Sequence, residues 1–126
     1  MFRGPYDTQV LYDLYENDFN YMEDVFRLTL SEFKLDLNNL RTYQLNKDLT
    51  ACRKQLHKMK PSLGYVGLKR TEEHCADVEE KLKHTKSWND INEELGWLII
   101  EMQECSVLIE ATAKALNGYN EKMKNL

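Results

Sequence analysis

Apolar side chains recur at steps of three and four along most of the chain, and no segment sustains the alternation of a half-buried strand. Phe19, Met22, Phe26, Leu30, Phe33, Leu37 and Leu40 fall on one stripe, which predicts a long helix capped by Asn17 or Asp18. Leu49, Cys52, Leu56, Met59 and Leu63 form a second stripe, with Asn46 as its candidate cap. After the Gly64 to Gly67 region, a third stripe carries Leu68, Cys75, Val78 and Leu82. Ser87 with Asp90 three residues later has the form of a capping box. It would open a last helix through Ile91, Leu95, Leu98, Met102, Leu108, Ala111 and Ala115, with Trp97 beside Leu98 in the core. Asn117-Gly118 is a stop signal for that helix, and the following EKMKNL is able to resume it. A short amphipathic helix from about Thr8 to Glu16, capped by Asp7, precedes the rest.

Short connections favour antiparallel neighbours. The expected fold is therefore all-α, an antiparallel up-down four-helix bundle with an extra short N-terminal helix. The length of 126 residues suits one domain. Within it we expect an N-terminal segment and short helix at 1–17, the bundle at 18–117, and a tail or helix extension at 118–126. The stripes are almost wholly aliphatic and aromatic, which argues against inward-facing His or Glu pairs and so against a cofactor- or metal-binding bundle.

Composition narrows the function classes. Apolar residues make up 42% and charged residues 30% of the chain, as in a globular domain rather than a disordered tail. Seventeen basic against 21 acidic residues leave a net charge of −4, a poor match to a nucleic-acid backbone. The longest apolar run, Trp97 to Ile100, is too short for a bilayer, so no membrane association is expected. The opening MFRGPYDTQ lacks the apolar stretch of a signal peptide, which points to the cytoplasm. Cys52, Cys75 and Cys105 are odd in number and far apart, as expected of core hydrophobes rather than a disulfide framework. His74-Cys75 lacks a second ligand pair one turn away, so no metal site is expected.

The chemistry concentrates in CRKQLHKMKPSLGYVGL, from Cys52 to Leu68. On a helix of about 100° per residue, with Leu49 at zero, the buried stripe centres near about 310° and His57 lies near about 80°. Arg53, Lys60 and Gly64 fall within about 60° of His57 on the same estimate. An ordinary surface histidine is the commoner explanation of such a position. Yet imidazole is the side chain that is largely neutral and nucleophilic near pH 7. Lys60, one turn on, is placed to hold a negative group carried by the ring. Gly64, two turns on, exposes the backbone to close approach at a cost to the helix of roughly 1 kcal/mol against alanine. An exposed nucleophile, a cation and a bare patch together describe a phosphoryl-carrying surface open to a partner.

Here the chain resembles the histidine-containing phosphotransfer (HPt) domain family, whose motif reads approximately H-x-L-K-G-S/A-x-x-x-x-G-L. His57, Met59, Lys60, Ser62, Gly64, Gly67 and Leu68 fall in register, and the resemblance spans roughly Asp18 to Asn117. Two positions depart from it. Pro61 stands where glycine is usual, which removes the N–H partner of the His57 carbonyl and predicts a kink just past the histidine. Leu56 stands where a small residue is frequent.

The resemblance implies a bacterial two-component phosphorelay carrier. In it His57 takes a phosphoryl group through Nε2 from a receiver-domain aspartate and passes it to another receiver. Lys60 would stabilise the phosphoryl oxygens and Gly64 would admit the receiver. Arg53, Lys58, Ser62 and Tyr65 are the further candidates for partner contact, Arg53 on the strip geometry. Response-regulator receiver domains and a hybrid sensor histidine kinase are the implied partners. The receiver would supply Mg²⁺, and this chain no cofactor of its own. Without a Gly-rich phosphate loop it should neither bind ATP nor phosphorylate itself. A single exposed histidine needs no second copy, so a monomer is expected. The alternative is the same bundle as a non-phosphorylated interaction module that binds a receiver or kinase.

Overall fold

Aspartates start the first three helices. The side chains of Asp7, Asp18 and Asp48 accept hydrogen bonds from the backbone N–H groups of Val10, Tyr21 and Ala51, opening α1 (Thr8–Tyr15), α2 (Phe19–Leu45) and α3 (Leu49–Tyr65). A computed structural model describes every residue but Met1 and Arg3, and completes the order with α4 (Lys69–His84), a 3₁₀ turn (Trp88–Asp90) and α5 (Asn92–Lys124). No strand occurs among the described residues.

Two caps differ from expectation. Asn46 does not open α3. Its own N–H still bonds back to the Thr42 carbonyl at 3.1 Å, so it closes α2, and the turn through left-handed Lys47 passes the capping role to Asp48. Ser87 makes no side-chain cap. The Asp90 N–H bonds to the Ser87 carbonyl at 3.1 Å, and the 3₁₀ turn this closes delays α5 to Asn92.

Helices α2 to α5 form the antiparallel bundle. Lys34 pairs with Glu110 and Glu23 with Asn117, so α2 and α5 run in opposite directions. These two are long, 27 and 33 residues, whereas α3 and α4 have 17 and 16. At about 1.5 Å per residue the long pair outreaches the short pair by some 15 to 25 Å. The N-terminal segment fills that gap. Tyr6 donates to or accepts from Thr112 Oγ1 at 2.7 Å, and the rings of Phe2 and Tyr6 pack on Phe26. The Asp7 N–H bonds to the Gly67 carbonyl at 2.8 Å, and the Tyr15 hydroxyl donates to the Tyr65 carbonyl. Gly67 is required at that junction. Its φ is +71°, and a Cβ there would lie 2.8 Å from Leu11 Cγ.

The core of α5 needs correcting in two places. Trp97 is 60% exposed whereas Leu98 is fully buried, because α5 buries Leu95, Leu98, Ile99 and Met102 and Trp97 points about 100° away from Leu98 on the side opposite Ile99. Beyond Met102 the buried line continues through Cys105, Ile109, Ala113 and Leu116, leaving Leu108 at the rim and Ala111 and Ala115 exposed. A step of six from Met102 to Leu108 leaves the stripe, whereas steps of three and four keep to it. The helix also passes Asn117-Gly118 without stopping. Asn120 donates to the Phe19 carbonyl at 2.9 Å and Tyr119 meets the Phe19 ring edge-on, so α2 holds the last turns in place.

The three cysteines are buried and free. The interior is less apolar than the stripes suggest. Thr29, Asp36, Gln55, Thr71, Glu79, Thr112 and Asn120 are all buried. Among the described residues every buried side-chain nitrogen and oxygen has a hydrogen-bond partner, so burial leaves no polar group uncompensated. Pro61 lies inside α3 on its exposed side, and the helix runs unbroken from Leu49 to Tyr65, so no break follows the histidine. Among the described residues no helix is long and apolar enough to cross a membrane.

Candidate functional site

Cys52, Leu56, Met59 and Leu63 turn inward and are wholly buried, which rotates His57 to the outer edge of α3 beside α4. Its side chain is 70% exposed, yet the ring is tethered. Nδ1 lies 2.7 Å from Oε1 of Glu79, a residue of α4 that is itself only 4% exposed. Lys60, one turn along α3, donates to the other oxygen of the same carboxylate at 3.2 Å. One buried carboxylate therefore spans the two polar positions that the helical spacing placed side by side.

The charge state of Glu79 decides the geometry of the ring. Burial opposes its ionisation. The hydrogen bonds from Lys60 and His57, and then their charges, outweigh burial and hold the carboxyl below the ordinary carboxylate range. An ionised carboxylate only accepts hydrogen bonds, so the shared proton belongs to Nδ1 of His57. In the neutral ring the remaining lone pair is then on Nε2.

The other sequence-derived candidates are placed as follows. Lys58 does not stand free. It donates to Oδ1 of buried Asp36 on α2 at 2.9 Å, and that bond and charge raise its pKa. Gln55 completes the contact by donating to the Asp36 carbonyl at 2.9 Å. Arg53 is half-buried and makes no ion pair among the described residues. Ser62 is half-buried, and Tyr65 is exposed at the end of α3. Gly64 has no side chain of its own, but the Glu72 carboxylate rests on it. A Cβ at Gly64 would lie 2.6 Å from Glu72 Oε2.

Glu79 and Glu72 were not singled out from sequence, and neither was Asp36. A signal existed for Glu79. It lies four residues after Cys75 and three before Leu82, in phase with the buried stripe of α4, where a carboxylate calls for a partner. The other histidines are held differently. His74 faces Glu101 across the cleft between α4 and α5, and His84 meets Glu80 on the exposed surface of α4. No group of three or more His, Cys, Asp or Glu side chains suited to a metal ion occurs among the described residues.

No curated protein matches the chain. Its fold is similar to the crystal structure of the HPT domain from the Hpt sensor hybrid histidine kinase from Shewanella. The TM-score is 0.76 and the identity 15%, over 88% of this chain and 95% of that one. A family model described as the Hpt domain matches residues 24–118. Helices α3 and α4, which hold His57, Lys60 and Glu79, lie wholly inside that match, and the chain belongs to the Hpt domain family, the histidine phosphotransfer domains of phosphorelays.

Proposed function

We propose that His57 is the phosphorylated residue, and that it takes its phosphoryl group from a receiver aspartyl phosphate and gives it to the aspartate of another receiver. The observation that carries this reading is the orientation of the ring. Nδ1 is held by a buried ionised carboxylate, and the ring is otherwise 70% exposed. In the forward step Nε2 bonds to phosphorus as the bond from phosphorus to the aspartate oxygen breaks, and the aspartate leaves as a carboxylate. The Nδ1 proton stays in its hydrogen bond. Positive charge gathers on the imidazole as Nε2 is phosphorylated, and Glu79 lies where that charge is offset. Lys60 supplies a cation one turn away for the phosphoryl oxygens. The receiver brings the Mg²⁺ and the aspartate, while this domain contributes a positioned nucleophile and no nucleotide site. We read it as a monomer that works in the cytoplasm, where receivers and hybrid kinases meet it.

Incubation with a phosphorylated receiver and Mg²⁺ tests the reading. Acid-labile, base-stable label should appear on the wild-type chain and vanish in His57→Gln. A receiver that binds tightly but transfers nothing to the wild type would replace this reading with a non-phosphorylated interaction module.

A further inference from the structure

The surface around His57 is basic on one side and acidic on the other. Arg53, Lys54, Lys58 and Lys60 all lie on α3, within four residues of His57. Of the acids beside them, Glu79 is occupied by His57 and Lys60, and Asp36 by Lys58. Glu72 differs. It forms no ion pair among the described residues, and its carboxylate lies over Gly64. Gly64 is seven residues from His57, about 10 Å along the helix, well inside the footprint of a docked protein domain. Beside Glu72 an open hollow of about 410 Å³ separates α1 from the end of α3. Leu14, Pro61 and Tyr65 supply its apolar wall, and Asp13 adds a second carboxylate to the lining. A lysine or arginine fits this setting, with its aliphatic stem on the apolar wall and its charged head at Glu72.

On the reading of His57 as the phosphorylated residue, we propose that Glu72 determines receiver specificity by taking up a cationic side chain of the docking partner. A receiver with a lysine or arginine at that contact is held in register with Nε2. One with a carboxylate there meets Glu72 and Asp13 as like charges and is rejected.

The test uses the whole chain in wild-type, Glu72→Gln and Glu72→Lys forms. Each is labelled on His57 with phosphoramidate, which needs no docked receiver. Transfer rates are then measured to a panel of purified receivers whose docking faces carry either basic or acidic side chains. Wild type should prefer the basic-faced receivers. Glu72→Gln should slow transfer to them by roughly tenfold and leave the others little changed. Glu72→Lys should reverse the ranking, and rising salt should flatten it. Normal wild-type transfer with the same ranking in all three forms would overturn the role of Glu72 alone. Failure of the wild type to take label from phosphoramidate or from any receiver would overturn the reading of His57 and this role with it.

Discussion

Glu79 holds His57 from beneath, its Oε1 2.7 Å from Nδ1, while its second oxygen receives Lys60 at 3.2 Å. The nucleophile and its neighbouring cation are thus fixed by one carboxylate from a different helix. Replacing Glu79 by Gln keeps the shape and removes the charge. Phosphotransfer should fall by at least roughly tenfold to a hundredfold, the scale known for partners that orient metal-binding histidines. Nitrogen NMR of the ring should show the proton redistributed between Nδ1 and Nε2, a change that a purely structural role would not produce. Because His57 and Lys60 are exposed enough to be rehydrated, the stability cost should be only about 1 kcal/mol.

Acid should loosen the same contact. The Glu79 carboxyl is held below its ordinary value of 4.5 in the folded state. A group depressed in this way contributes stability above its unfolded value and loses it as the pH falls through the folded one. Urea midpoints should therefore decline below about pH 4.5, and less steeply in Glu79→Gln. Glu23 is lowered too, by the hydrogen bond from Asn120 most of all, against burial, and then by those from Arg27 and Asn117. Glu23→Gln should flatten the acid decline from the end of the bundle where α2 begins and α5 finishes.

Lys60→Ala separates charge from site. His57 should still accept label, and the label should still be lost in His57→Gln. The rate of transfer should drop by roughly tenfold, the effect expected when one hydrogen-bonding cation is removed from a developing phosphoryl charge. An unchanged rate would assign Lys60 to holding Glu79 only.

The two glycines that end the motif should respond oppositely to alanine. Gly64→Ala meets only the tip of the flexible Glu72 side chain, and its position is helical. Stability should be kept or raised by up to about 1 kcal/mol, while transfer from receivers slows. Gly67→Ala meets Leu11 and must adopt a φ of +71°. It should cost about 1–3 kcal/mol in urea denaturation and loosen α1.

Much of the bundle was legible because periodicity is local. Every stripe residue of α2 and α3 is buried except the half-buried Phe19, Leu30 and Leu49, and what the stripes missed are the buried polar side chains Thr29, Asp36 and Gln55. Where tertiary contacts decide, the pattern failed. Trp97 and Leu98 are both apolar, and only the packing of α5 chooses between them. Gly118 stops many helices, but here Asn120 and Tyr119 are held by α2. The site divides in the same way. His57 and Lys60 share one helix, so their spacing was readable. Glu79 reaches them from α4, as Glu72 reaches Gly64, and the register between two helices is written in no single segment.

The aromatic side chains ahead of α2 set a limit on how this domain can be handled. A version trimmed to the family-matched residues would begin inside the first turns of α2 and shed Phe2, Tyr6, Leu11 and Tyr15. Phe26 would then face water at one end of the bundle, and the hydroxyl of Thr112 would lose Tyr6 and keep only the Leu108 carbonyl. Such a fragment should be prone to self-association even with His57 and Glu79 intact. Fusions and expression fragments ought to keep the chain from Phe2 onward, because the segment ahead of α2 is the plug that closes the core.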